Sequence, residues 1–269
     1  MIDAHVHIWR LERNDCTWPT PDLPIIHRDF GLADVEETIA GTDIRRVVLV
    51  QSQESERDTV WLLEEASAST VAAGVVGWLE PTDHIGARMD KACAAGPLAG
   101  LRVMAQDRAA GWLDQAELQP QFAAMAERNL ALDLLVRPRH LPSSIDLARR
   151  FPSLRMVIDH CAKPAITQDG LAAWREAIAP AADRPNMMCK MSGLITEAEP
   201  GAAMEALVPF VEAAFALFGP DRLIWGSDWP VILLNGAYRD WLALAKRVIP
   251  GDHRDAVFGG NARRFYRLG

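Results

Sequence analysis

Short runs of aliphatic and β-branched residues recur along the chain, each followed by a longer segment whose apolar positions fall at helical spacing. Eight runs read as strands: 2–8 (IDAHVHI), 45–52 (RRVVLVQS), 71–80 (VAAGVVGWLE), 99–105 (AGLRVMA), 130–137 (LALDLLVR), 154–160 (LRMVIDH), 187–193 (MMCKMSG) and 222–228 (RLIWGSD). Helical spacing follows at 58–69, 85–95, 119–129, 144–151, 170–181, 204–218 and 238–248, with a last helix starting near Asn261. Repeated βα units build a parallel sheet, and eight of them without a Ser/Gly linker or low-complexity tract predict one (β/α)8 TIM barrel, a single domain over 1–269. A doubly wound open sheet is the competing fold. Against it, the first strand is not followed by G-x-G-x-x-G, so dinucleotide binding has no support. The segment 11–31, rich in Pro and Asp, is too long for a tight connection and is expected to fold over the barrel mouth as a lid.

Composition narrows the function classes. With 49% hydrophobic and 24% charged residues the chain reads as soluble and globular, and a formal charge of −8 without a Lys/Arg cluster speaks against nucleic-acid binding. Cys16, Cys93, Cys161 and Cys189 are scattered, with no CxxC pair and no disulfide-scaffold density. A reducing, cytoplasmic setting follows. No basic n-region with an apolar h-region opens the chain and no long uncharged apolar stretch appears, so neither secretion nor membrane insertion is expected. A homo-oligomer is allowed but not specified.

In such barrels chemistry gathers at the C-terminal ends of the strands. Alternation along the first strand aims Asp3, His5 and His7 one way, and three inward polar side chains need partners. His160 ends the sixth strand and Asp228 the eighth, while Arg102 lies in the fourth and Lys190 in the seventh. Imidazoles and a carboxylate are zinc-type ligands, and an ion with one open position would activate water. The same set also works without an ion, the carboxylate taking a proton from water while cationic side chains stabilise the oxyanion. Sequence leaves both open.

The motifs IDAHVHIW, VLVQS, GLRV, VIDHCAKP, CKMSGL, IWGSDWPV and GGNARRFY, in register from residue 2 to 266, resemble the amidohydrolase superfamily, and within it the sugar-lactonase branch of L-fuconolactonases and L-rhamnonolactonases. The resemblance implies a barrel that hydrolyses a small sugar lactone, with His5, His7, His160 and Asp228 at the matching catalytic positions. Asp228 inherits the general-base role. The same four residues would hold at most one divalent ion such as zinc, and the histidines do not decide whether an ion is needed. Binuclear members carry a bridging Lys or Glu on the fourth strand and a histidine ending the fifth. Here those places read GLRV and LLVRPRH, Arg102 has no acceptor atom, and His140 lies beyond the strand end, so a two-metal centre is not expected.

For the substrate, Arg102 and Lys190 would present cations to its oxygens, Gln51 an amide at the end of the second strand, and Trp9 an aromatic face. Bland readings stand beside these: core ion pairs for Arg102 and Lys190, a strand cap for Gln51, core or lid packing for Trp9, Trp18, Trp112 and Trp229. Asp3 reads as a buried hydrogen-bond partner and Asp159 as an orienting ion pair or cap. Two other enzymes compete. A dicarboxylate lactonase of aromatic degradation would clamp carboxylates with Arg102, Arg108 and Lys190; a metal-dependent decarboxylase would keep the fifth-strand histidine.

Overall fold

Strands buried on both faces demand near-continuous runs of Val, Ile and Leu, and the runs noted above become a parallel sheet. The computed structural model describes residues 1–13 and 15–269, and its strands lie in chain order: β1 (Ile2–Val6), β2 (Arg46–Val50), β3 (Ala72–Gly77), β4 (Leu98–Met104), β5 (Ala131–Leu135), β6 (Met156–Ile158), β7 (Met187–Met191) and β8 (Leu223–Trp225). Each neighbouring pair is parallel. A parallel bridge between Val6 and Trp229 brings the chain after β8 to β1; His7 N donates to Trp229 O at 2.8 Å and Asp228 N to His5 O at 2.9 Å. Closure of the (β/α)8 barrel therefore falls on the residues expected to do chemistry.

The helices are α1 (Leu32–Ile39), α2 (Glu56–Ser67), α3 (Ile85–Ala95), α4 (Gln119–Glu127), α5 (Leu141–Arg150), α6 (Gln168–Ala182), α7 (Val208–Phe218), α8 (Tyr238–Val248) and α9 (Asn261–Tyr266). Local signals start them: Ser55 caps α2 and Thr167 caps α6 through their hydroxyls, and α4, α5 and α7 carry proline in the first turn. Helix α1, absent from the helical stretches read above, sets Leu32, Val35 and Ile39 at helical spacing and buries Val35 and Ile39. One apolar layer fills the space between strands and helices, including Leu49, Leu62, Phe122, Leu134 and Trp241. A second packs Ile2, Ala4, Val48, Val50, Val76, Val157 and Ile224 with Phe265, Tyr266 and Leu268, so the C-terminal segment plugs the end of the barrel opposite the site. Among the described residues no helix is long and apolar enough to cross a membrane.

Two departures from regular strands matter. The register of β1 slips between Asp3 and Val6. One extra residue changes the parity of the side chains, so Asp3 does not share the inward face with His5 and His7. Its carboxylate instead accepts from Ser227 N at 2.8 Å and His5 N at 3.2 Å, beside the Tyr238 phenol of α8. Burial raises the Asp3 carboxyl to about 6. The sixth and eighth strands also end early, before His160 and Asp228, because the chain turns left-handed at both, with φ of 53° and 62°.

Candidate active site

Left-handed backbone at non-glycine residues persists only where the surroundings over-determine it. His160, Cys161, Ala162 and Lys163 all have φ between 51° and 61°. Trp174 Nε1 donates to Cys161 O at 2.7 Å and Lys163 N to His160 O at 2.8 Å, tying the turn down. Gly193, just past β7, lets His160 and Asp228 come close. A Cβ there would lie 2.5 Å from His160 Nδ1 and 2.8 Å from Asp228 Oδ2.

At the C-terminal end of the barrel Asp228 Oδ1 lies 3.3 Å from His7 Nε2 and 3.6 Å from His5 Nε2, and the two imidazole nitrogens are 3.1 Å apart. His7 Nδ1 faces Val50 O at 2.8 Å; a carbonyl only accepts, so Nδ1 carries a proton and Nε2 turns to the cavity. His160 Nδ1 pairs with Ser192 Oγ at 2.9 Å, which leaves its Nε2 for the cavity. Burial depresses the His160 imidazole to about 4, against the pull of Asp228 and Asp159. Burial would raise the Asp228 carboxyl, but the imidazoles of His160, His7 and His5 hold it well below the usual carboxylate range. The site thus presents an ionised carboxylate beside a neutral imidazole.

Lys190 does not reach this cavity. It is fully buried beneath it, with its ammonium on the carboxylates of Asp133 and Asp159 (2.9 Å to Asp159) and 3.2 Å from His5 Nδ1. Burial disfavours its charge, yet the two carboxylates hold the ammonium raised above the ordinary lysine value. Asp159 also faces His5 Nδ1 at 3.6 Å and Arg102 at 3.7 Å, the orienting ion pair expected of it. Tyr266 donates to Asp133 at 2.7 Å from the plugged end. Asp133 was overlooked in the sequence, although an acid inside LALDLLVR is a signal, since a lone carboxylate in a parallel strand must meet a cation.

A cavity of about 670 Å³ opens above, lined by His7, Arg102, His160 and Asp228 together with the connections after β1 and β2. Besides Lys190, two of the residues proposed for substrate are displaced. Trp9 is buried, donating to Arg28 O at 2.7 Å, and its neighbour Trp18, stacked edge-on at 5.3 Å, forms the wall instead. The Gln51 side chain is buried away from the cavity, and only its carbonyl takes part, accepting from Arg102. Gln53, two residues on, lines the cavity. His140 is spent on the backbone: its ring nitrogens lie 3.1 Å from Arg137 N and 3.1 Å from Arg108 O. Residues 15, 17 and 18 of the segment expected to act as a lid contribute to the wall, as do Lys163 and Thr196.

The sequence matches the amidohydrolase family profile over residues 2–268. The chain belongs to the amidohydrolase family. Two curated relatives are L-fucono-1,5-lactonases, from Burkholderia ambifaria (44% identical, covering 99% of this chain and 95% of the relative) and Burkholderia multivorans (31% identical, 99% and 96%). A crystal structure of a Burkholderia multivorans amidohydrolase with bound zinc superposes with a TM-score of 0.94 at 31% identity, over 100% of this chain and 99% of that one.

In this amidohydrolase, among the described residues, two groups of donor atoms converge closely enough to hold an ion: His5, His7 and Asp228, and His5, Asp159 and His160. His160 falls in the second group, with His5 and Asp159. The second group is already matched with charge, Asp159 facing Lys190 and Arg102. The first fits an ion. Its imidazole nitrogens stand 3.1 Å apart, close to the roughly 3.3 Å that a tetrahedral zinc with bonds of about 2.0–2.1 Å imposes.

Proposed function

We propose that this amidohydrolase is a lactonase that opens a sugar-acid lactone of the L-fucono-1,5-lactone kind to the free acid. The observation that carries the reading is Asp228, an ionised carboxylate at the cavity floor within 3.6 Å of both first-strand imidazoles. Asp228 takes a proton from water as the water oxygen bonds to the lactone carbonyl carbon. The Arg102 guanidinium, 3% exposed and on the cavity wall, offsets the charge that develops on the carbonyl oxygen. The tetrahedral centre then collapses, the bond from carbon to ring oxygen breaks, and the proton held by Asp228 passes to that oxygen. His160 Nε2 hydrogen-bonds the reacting oxygens. His5, His7 and Asp228 would hold one zinc-type ion, which would lower the pKa of water and polarise the carbonyl.

The cavity is less suited to the two competing enzymes. A dicarboxylate would find Arg108 paired with Glu54 at 3.0 Å and Lys190 sealed beneath the floor, leaving few free cations. The decarboxylase reading wants a fifth-strand imidazole, and His140 serves the backbone. All four thiols are free, in keeping with a reducing, cytoplasmic setting.

A panel of 1,4- and 1,5-aldonolactones followed with a pH indicator tests the reading. Proton release is expected above background, and Asp228→Asn is expected to lower kcat/KM by about 10³-fold or more. Chelator treatment run beside it separates ion-dependent from ion-free hydrolysis. A panel with no turnover removes the proposal.

A further inference from the structure

The connection after β1 forms part of the cavity wall, yet among the described residues no backbone–backbone hydrogen bond joins residues 15–18 to residues 51–55. The fastening is made by side chains. Gln53, 4% exposed, uses both ends of its amide: Oε1 accepts from Thr17 N at 2.9 Å, Thr17 Oγ1 at 3.2 Å and Trp18 N at 3.3 Å, and Nε2 donates to Trp18 O at 2.5 Å and Ser52 Oγ at 3.1 Å. Ser55 Oγ adds one bond to Asp15 at 2.8 Å. Trp18 thus has its backbone N–H and carbonyl on the Gln53 amide and its ring edge-on to Trp9 at 5.3 Å, and it lines the cavity.

We propose that Gln53 is a positioning residue that clasps the Thr17–Trp18 strap and holds the Trp18 face where it packs on the ring of the bound lactone. The assignment rests on the lactonase reading for its substrate, but the clasp itself is a property of the fold. Aromatic faces cover the C–H surface of a sugar ring, and a wall helps binding only if it is ordered before the ligand arrives. The strap offers two amide donors, one hydroxyl and one carbonyl to a single buried point. Only a neutral amide meets donors and acceptors together without adding charge beside Asp15, Glu54 and Asp58. Gln53 acts on the substrate through Trp18, away from the atoms that react, so its effect belongs in binding.

Gln53→Met roughly keeps the volume and removes the amide's hydrogen bonds to the strap. Hydrogen exchange of the peptide holding Thr17 and Trp18 is expected to quicken by about tenfold or more. KM for the lactone is expected to rise about tenfold, with kcat and the pH profile of kcat little moved. In Gln53→Met combined with Trp18→Ala, KM should match Trp18→Ala alone, because both changes remove the same face. Gln53→Glu keeps the acceptor for the strap donors and should fall between wild type and Gln53→Met in both exchange and KM; it also serves if Gln53→Met does not fold. Unchanged exchange, multiplying KM effects in the double variant, or a fall in kcat at constant KM would each overturn the proposal. If the wild-type chain opens no lactone, the lactonase reading fails, while the exchange measurement still decides the clasp.

Discussion

Gly193 is where the chemistry depends most on a missing atom. Its φ of 59° lies in the left-handed region, and any β-carbon would press on both His160 and Asp228. Gly193→Ala is expected to push the two apart; a misplacement of about 1 Å costs on the order of 10²-fold in kcat. Left-handed backbone at alanine adds about 1–2 kcal/mol of destabilisation, readable as a lower Tm. Steady-state kinetics with thermal melts check this, and wild-type kcat in the variant would show that the contact has slack. Gly226 plays a similar part under His5, whose Cβ would lie 2.7 Å from an added methyl.

At the scale of elements, α2 carries a carboxyl whose ionisation the fold resists. Asp58 is buried in the first turn, and burial lifts it to about 6 from an ordinary 3.8, although it accepts from Ser52 N at 3.2 Å. A raised folded-state value means the folded protein binds the proton more tightly than the unfolded chain does. The associated stability is complete below pH 3.8 and is lost as pH rises through about 6. Asp58→Asn keeps an acceptor for Ser52 N without the charge. Its stability gain over wild type is expected to grow from under about 1 kcal/mol near pH 4 to about 3 kcal/mol near pH 7.5. Denaturant melts at the two pH values measure it; a gain that shrinks with rising pH would contradict the burial argument.

Across the whole molecule, one chain of buried charge ties both ends of the barrel together. Tyr266 on α9 donates to Asp133 on β5, Lys190 on β7 binds Asp133 and Asp159, and Asp159 faces His5 on β1 and Arg102 on β4. Such an array contributes little net stability, because desolvation offsets attraction, but breaking it strands the remaining charges. Lys190→Met would leave two carboxylates facing each other without their ammonium. A loss of about 3–5 kcal/mol is expected in urea unfolding, together with reduced activity as Asp159, which faces His5 and Arg102, loses its ammonium. Full stability in that variant would mean that the carboxylates take up protons without strain.

Strand and helix order was legible because periodicity is a local property: a 2-residue or 3.6-residue repeat is written in neighbouring side chains. His5, His7, His160 and Asp228 could be singled out because each lies at or near the end of an apolar run that the repeat marks. The place of Lys190 was not legible, since an inward lysine in CKMSG reads alike whether it meets solvent above or Asp133 and Asp159 beneath. Nor was the exchange of Trp9 and Gln51 for Trp18 and Gln53, which hangs on a strap folding back across the neighbouring connection. By itself the sequence determined the succession of elements and the kinds of side chain at the strand ends. Tertiary structure alone decided which of them share a cavity, because a bulge in β1, left-handed turns at His160 and Asp228, and buried partners from distant strands all act through contacts that no local pattern contains.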